Sequence, residues 1–261
     1  AEAIRLCAAR GAKVDETSGI VRLPAPLLRE TLALIPPRYT VAGLDGRTYE
    51  IGGGRPWGLA IVTDPWIIDY RTQRPRRPCL EDLRRHTAAA QQMEHVCGMS
   101  CMDFPVTDVD GPDSSLRAWE IHLLNTAKHY HFIPAKPESS RQWEEIVCIL
   151  AQDRDPAGMR LFTVHAPVIS PLTVSGESVN LLRLACRYDA PVFPTICPMA
   201  GSTAPYTLAA TLLLGHAENL FLAALTQFLR PGNPFLYAFG PSVTDMASAQ
   251  DRYYTLDKVL W

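Results

Sequence analysis

Short apolar runs begin near Met99, Tyr130, Leu161 and Val192, each 31 residues after the one before, and a further run begins near Phe235. Segments with helical periodicity lie between them, at 115–128, 139–151, 176–188 and 205–229. A strand with its crossover helix takes roughly 30 residues, the size of one βαβ unit. Strict alternation of such units predicts a parallel sheet with helices outside it. The runs do not alternate apolar with polar, as expected of strands covered on both faces. Each ends in a proline-containing segment, the prolines being Pro105, Pro134, Pro167, Pro198 and Pro241. Such uniform strand ends suit the rim of a barrel. Five units are too few to close a (β/α)8 barrel, and the chain stops inside a helical pattern at Lys258–Trp261. The expectation is therefore an α/β fold, an incomplete TIM-type barrel cut from a longer protein.

Residues 1–95 read differently, as an N-terminal α+β section before a barrel portion at 96–261. A short helix is stopped by Gly11, and hairpins are expected around Glu16–Ser18 and around Asp45-Gly46. An amphipathic helix from Pro24 to Ile35 is ended by Pro36-Pro37, two short strands are expected within Trp57–Tyr70 around Asp64-Pro65, and another helix covers 80–94. The net charge of −2 and pI near 6.4 argue against nucleic acid as a partner, since phosphate binding needs a basic excess. No uninterrupted apolar run reaches the roughly 18–20 residues of a membrane span. Seven cysteines without a secretory pattern fit reduced thiols, so a cytoplasmic location is expected.

The segment Thr195–Tyr206 is the most suggestive for binding. It leaves an apolar strand, passes through a small polar turn and is expected to open a helix, with Ser202 or Thr203 as cap and Pro205 in the first turn. The amides of Gly201, Ser202 and Thr203 are then candidate donors to an anion. Other patterns do not reach a known site. Cys97 and Cys101, even with His95, lack a second zinc pair, and no Walker or dinucleotide-binding glycine motif occurs.

Several blocks carry a family resemblance. They are Gly11–Pro24, Pro78-Cys-Leu-Glu-Asp-Leu83, Leu124-Asn-Thr-Ala-Lys128, Ser175-Gly-Glu177, Pro198–Pro205 with Thr207-Leu-Ala209, and Ser242-Val-Thr-Asp-Met246. In order along the whole chain they resemble the trimethylamine:corrinoid methyltransferase superfamily, which includes glycine betaine methyltransferases without pyrrolysine. His216 stands where the resemblance leads one to expect Asn, and the region that holds pyrrolysine in some members falls beyond Trp261. The resemblance implies a TIM-type barrel and methyl transfer from a methylated amine, a quaternary amine such as glycine betaine or trimethylamine, to the cobalt of a separate corrinoid protein. It also implies no tightly bound cofactor, and a homo-oligomer when full length.

A methylated cation calls for aromatic faces or carboxylates. The strand-end aromatics Tyr130, Phe132, Phe193, Tyr237 and Phe239 are candidates, with Trp57 and Trp66 from the front section. Asp103 and Asp245 are candidate counter-charges. His165 is expected at the C-terminal end of a strand, where barrel active sites lie, and His131 falls within the preceding strand. A betaine carboxylate would be taken by Gly201, Ser202 and Thr203. His216 and Glu218, two apart on a helix, are expected to serve packing or solvent. The rival readings are a non-catalytic barrel that binds methylated amines or docks a corrinoid protein, and an unrelated metal-dependent barrel enzyme.

Overall fold

The computed structural model describes residues 2–61, 66–102, 107–109, 114–133, 137–152, 154–253 and 255. The chain divides into two compact units, one of residues 1–36 with 165–261 and one of residues 37–164.

The first unit opens with α1 (Glu2–Ala9), the antiparallel pair β1 (Lys13–Asp15) and β2 (Ile20–Arg22), and α2 (Ala25–Leu32).

In the second unit, β3 (Tyr39–Ala42) and β4 (Thr48–Ile51) form a hairpin turned at Gly46, whose φ of +78° favours glycine. Leu44 N donates to Ala127 O and Ala42 N to Arg160 O, which ties the hairpin to the starts of two later strands. Gly43 permits this approach, because a Cβ there would lie 2.4 Å from Ala127 O. Next come β5 (Gly58–Ala60), the short hairpin β6 (Ile67–Ile68) with β7 (Pro75–Arg76), α3 (Leu80–Gln92), β8 (Val96–Met102), α4 (Ser114–Asn125), β9 (His129–Ile133) and α5 (Pro137–Ala151). β10 (Phe162–Pro167) straddles the division between the units.

The strand order is β5-β8-β9-β10 and then β11 (Val192–Thr195), and the pairings from β5 to β10 are parallel. The regular 31-residue spacing is therefore a run of parallel βα units. The front section contributes a strand that the spacing did not reveal, since β5 has only three residues and pairs with β8 across a register irregularity. Lys128, buried just before β9, donates through Nζ to Ala90 O and Met93 O at the end of α3, a cation at the negative end of the helix dipole.

Aromatic side chains fill the helix side of this sheet. Trp143 of α5 stacks on Phe132 at 4.8 Å, and Trp119 of α4 meets both rings edge-on at 5.7 Å. Tyr130 and Phe162 close the cluster against Trp143.

The first unit resumes with α6 (Gly176–Arg187), capped by Ser175, whose Oγ accepts from Ser178 N. Then follow β11, β12 (Met199–Ala200), α7 (Leu208–Leu229), β13 (Ser242–Asp245) and β14 (Gln250–Arg252). β12 pairs with β13 in parallel and β13 with β14 antiparallel. α7 packs on α1, α2, α6, β11 and β12. It is, among the described residues, the one helix long and apolar enough to cross a membrane. The sequence reading passed over it because His216, Glu218, Asn219 and Gln227 interrupt the run. A helix apolar on all sides is also the signature of a core helix, and Leu222, Ala224, Leu225 and Phe228 are buried.

The strand expected at Phe235 is present as an irregular segment. Val192 N donates to Pro234 O, Leu236 N to Val192 O, Gly240 N to Ile196 O and Ser242 N to Pro198 O. Pro194, Pro198, Pro234 and Pro241 have no N–H to complete the ladder.

Candidate functional site

A strand shows alternate residues to its two faces. Tyr130 and Phe132 lie against the tryptophans of α4 and α5, so they belong to the core and not to a pocket. His129 and His131 therefore point to the opposite face, where the register places Gly98 beside His129 and Ser100 and Thr163 beside His131. Gly98 lets the His131 ring lie close, since a Cβ would be 2.9 Å from its Cδ2. The His129 and His131 rings meet edge-on at 5.3 Å. Among the described residues the buried Ser100 Oγ has no hydrogen-bond partner.

Both ring nitrogens of His129 are engaged. Nδ1 lies 3.1 Å from Ala42 O, and Nε2 lies 2.8 Å from Thr163 Oγ1. A carbonyl only accepts, so Nδ1 carries the proton and Nε2 accepts from the threonine hydroxyl. Burial lowers the pKa of this imidazole to about 4. His129 is thus a neutral structural group that fastens β9 to β10 and to the β3–β4 hairpin.

In the other unit, His165 sits in the C-terminal half of β10, 3 % exposed. Its ring stacks on Phe193 at 4.5 Å and 13°, and Nδ1 is 3.4 Å from Thr195 Oγ1. Phe193 and Thr195 alternate on β11 and are half-buried. Val168 N donates to Thr195 O just beyond β10, which fixes the two strand ends. An imidazole, an aromatic ring and a hydroxyl at parallel strand ends form the most site-like group in this unit.

The turn after β11 differs from its expected role. The helix begins at Leu208, not Pro205, with Thr207 as N-cap. Gly201 N donates to Ala204 O, while the amides of Ser202, Thr203 and Ala204 all converge on Met199 O. Thr203 Oγ1 accepts from Met199 N, and Ser202 Oγ accepts from Thr244 Oγ1. Its amides thus bond within the turn, so a carboxylate would need other donors. Gly201 has φ +89°, and a Cβ there would be 2.9 Å from both Tyr206 Cδ2 and Met246 Sδ.

Tyr237 and Phe239 lie against α7. Tyr237 OH is 2.8 Å from His216 Nδ1, and Phe239 occupies the space beside Gly215. Val192 and Phe235 form an isolated parallel bridge, and the described contacts of Tyr237 and Phe239 are with α7 and with each other, not with His165 or Phe193. Asp245 caps its own turn through Ala247 N and pairs with Arg252 at 2.6 Å, which holds its pKa near about 2. Asp103 lies outside the described residues. Among the described residues no three His, Cys, Asp or Glu side chains come together as a metal site.

Glu218, expected to serve packing or solvent, is a buried structural acid. It is 2 % exposed, and its carboxylate accepts from Ser170 Oγ at 2.9 Å and Leu172 N at 2.8 Å, anchoring the loop that follows β10. An acid within the apolar run of α7 was the available signal, because a buried carboxylate demands donors.

The molecule is an α/β protein of repeated parallel βα units, with imidazole and hydroxyl groups on the sheet face opposite its helices. The chain belongs to the trimethylamine methyltransferase (MTTB) family, whose model matches residues 1–251. It is 26% identical over 257 residues to trimethylamine methyltransferase MttB1 of Methanosarcina acetivorans, covering 94% of this chain and 51% of that protein. It is equally similar, at 26%, to MttB of Desulfitobacterium hafniense, over 94% of this chain and 50% of that one. L-carnitine:corrinoid methyltransferase of Eubacterium limosum is 34% identical over 83 residues, 32% of this chain and 17% of that protein. The chain spans about half the length of the trimethylamine methyltransferases it matches.

Proposed function

We propose that this chain is part of a cytoplasmic methyltransferase that moves a methyl group from a methylated amine to the cobalt of a corrinoid held by a separate protein. The observation that carries the reading is membership of the trimethylamine methyltransferase family along residues 1–251. The parallel βα architecture supports the finer inference that the sheet is one side of a (β/α)8 barrel, in which chemistry sits at the C-terminal strand ends.

The reduced cobalt supplies the nucleophile, and this protein has to bind and orient the amine. We assign that role to the group around His165. The half-buried Phe193 ring, backed by the stacked His165, gives π surface for a methylated ammonium, and the Thr195 hydroxyl holds the imidazole in place. A quaternary amine leaves as a neutral amine, so placement of its methyl group is the main requirement on the protein, and a quaternary amine such as glycine betaine is the substrate this reading puts first. The turn amides at 201–203 are satisfied internally, so recognition rests on the cationic end.

The test is cob(I)alamin methylation by the full-length protein, under strictly reducing conditions, with glycine betaine, carnitine, choline, tetramethylammonium and trimethylamine. The reading expects turnover with at least one quaternary amine. Turnover of trimethylamine alone would overturn the substrate assignment, and binding of these amines without methyl transfer would make the protein a non-catalytic binder.

A further inference from the structure

The connection from β5 to α3 carries a surface that the catalytic reading does not use. Its described part, residues 66–77, contains the hairpin of β6 and β7. Trp66, Ile68 and Tyr70 are 52%, 62% and 68% exposed, a dense display of large apolar side chains for one short hairpin. Arginines are interleaved with them, Arg77 lying over the Trp66 ring at 4.2 Å and Arg71 over Tyr70 at 5.4 Å. Arg71, Arg74, Arg76 and Arg77 against the single acid Asp69 give the hairpin a net charge of +3, in a chain whose total is −2. Tryptophan, tyrosine and arginine are the residues that dominate protein interfaces.

The hairpin is also held in shape. Asp69 Oδ1 accepts from the amides of Arg71 and Thr72, which fixes the turn. Arg76 bridges Asp69 Oδ2 at 3.1 Å and grips both carboxylate oxygens of Asp82, at 2.6 and 2.7 Å, in the first turn of α3. A surface fixed before binding loses less entropy on association.

Its place in the fold indicates the partner. The connection leaves the C-terminal end of β5, a parallel strand beside β8. Just after the hairpin, Pro78 O accepts from Thr107 N, and Leu80 N donates to Asp108, residues that follow the C-terminal end of β8. The hairpin therefore stands at the edge of the sheet where parallel-strand enzymes place their chemistry. A protein that must bring a methyl acceptor to that edge has to dock there.

Resting on the function proposed above, we infer that residues 66–77 are a docking arm for the corrinoid-carrying protein, which meets it with carboxylates around an apolar patch.

The test is calorimetric titration of the full-length protein with the purified corrinoid protein of the same organism, for wild type and for the double variant Tyr70→Ala/Arg74→Glu. Both side chains are exposed, so the melting temperature of the variant should match wild type. The expected result is a Kd raised at least about tenfold in the variant, with a weaker salt dependence than wild type, because one attractive charge is reversed. A variant Kd within about twofold of wild type, or no binding by wild type, overturns the inference. So does a variant that lowers self-association in sedimentation equilibrium while its affinity for the corrinoid protein is unchanged, since the arm would then meet a second copy. Methyl transfer to free cob(I)alamin needs no docking, and its absence in wild type would sink the function reading. The Kd comparison would still decide the arm.

Discussion

His129 and His165 are both buried on strands of the parallel sheet, and they keep different chemical company. His129 opens β9, and both its nitrogens are tied to fixed protein groups, the Ala42 carbonyl and the Thr163 hydroxyl. His165 lies toward the C-terminal end of β10, stacked on the half-buried Phe193 and bonded to a hydroxyl on a neighbouring strand end. The difference follows from strand direction. Crossover connections bring the loops that vary to the C-terminal ends of parallel strands, and the N-terminal ends are where a scaffold is closed. Here the β3–β4 hairpin covers the start of β9, and it accepts the His129 proton with its own backbone.

The largest expected effect would break the comparison on the structural side. His129→Ala removes two buried hydrogen bonds and leaves Ala42 O and Thr163 Oγ1 without that partner. Each such loss costs about 1–3 kcal/mol, so chemical denaturation should show a combined loss of about 3–4 kcal/mol. An unchanged midpoint would mean the ring is not a fastening.

The pH dependence sharpens the same point. His122 and His129 have folded pKa values lowered to about 4, against an ordinary value of 6.5. The unfolded chain thus binds their protons more readily than the folded one. Their contribution is intact above pH 6.5 and is lost as pH falls from 6.5 toward 4, by up to about 3 kcal/mol for each histidine. Denaturation midpoints should fall across that window, and the fall should be shallower in His129→Gln. Equal slopes would contradict the assignment.

His165→Gln tests the other half. It should lower kcat/KM for methyl transfer about 100-fold, or about 2.7 kcal/mol of transition-state stabilisation. Gly201→Ala is expected to cost about 1–3 kcal/mol of stability, because φ is positive and the new Cβ meets Tyr206 and Met246. Ser202→Ala should be the mildest, within about 0.5 kcal/mol, with KM for glycine betaine unchanged, since this exposed hydroxyl only accepts from Thr244. A large rise in KM would return the turn to the substrate site.

The parallel βα pattern was legible because it is periodic, and periodicity survives without contacts. α5, α6 and the strands at Tyr130, Leu161 and Val192 lie within a residue or two of where the spacing predicts them. β5 was legible as one of two short strands expected within Trp57–Tyr70, but its place in the parallel sheet was not, because that is set by its pairing with β8. The face each residue occupies was only half legible. Alternation separates His131 from Tyr130 and Phe132, but which set meets the helices is decided by Trp119 and Trp143, distant in sequence. The Gly201–Thr203 turn reads as an anion site because its composition matches one. That its amides close on Met199 O depends on backbone geometry that composition does not encode. Glu218 carried its signal in the open, an acid inside an apolar helix, but its spacing did not say that its partners would be Ser170 and Leu172 of the loop after β10.

The most direct test of the account is a paired measurement on His165→Gln and wild type in the full-length protein: cob(I)alamin methylation with the preferred amine, beside the thermal midpoint of each. The account predicts a His165→Gln protein that melts within a few degrees of wild type and transfers methyl groups about 100-fold more slowly. Equal rates in a folded variant would contradict it, and would move the methylated-amine site away from the end of β10.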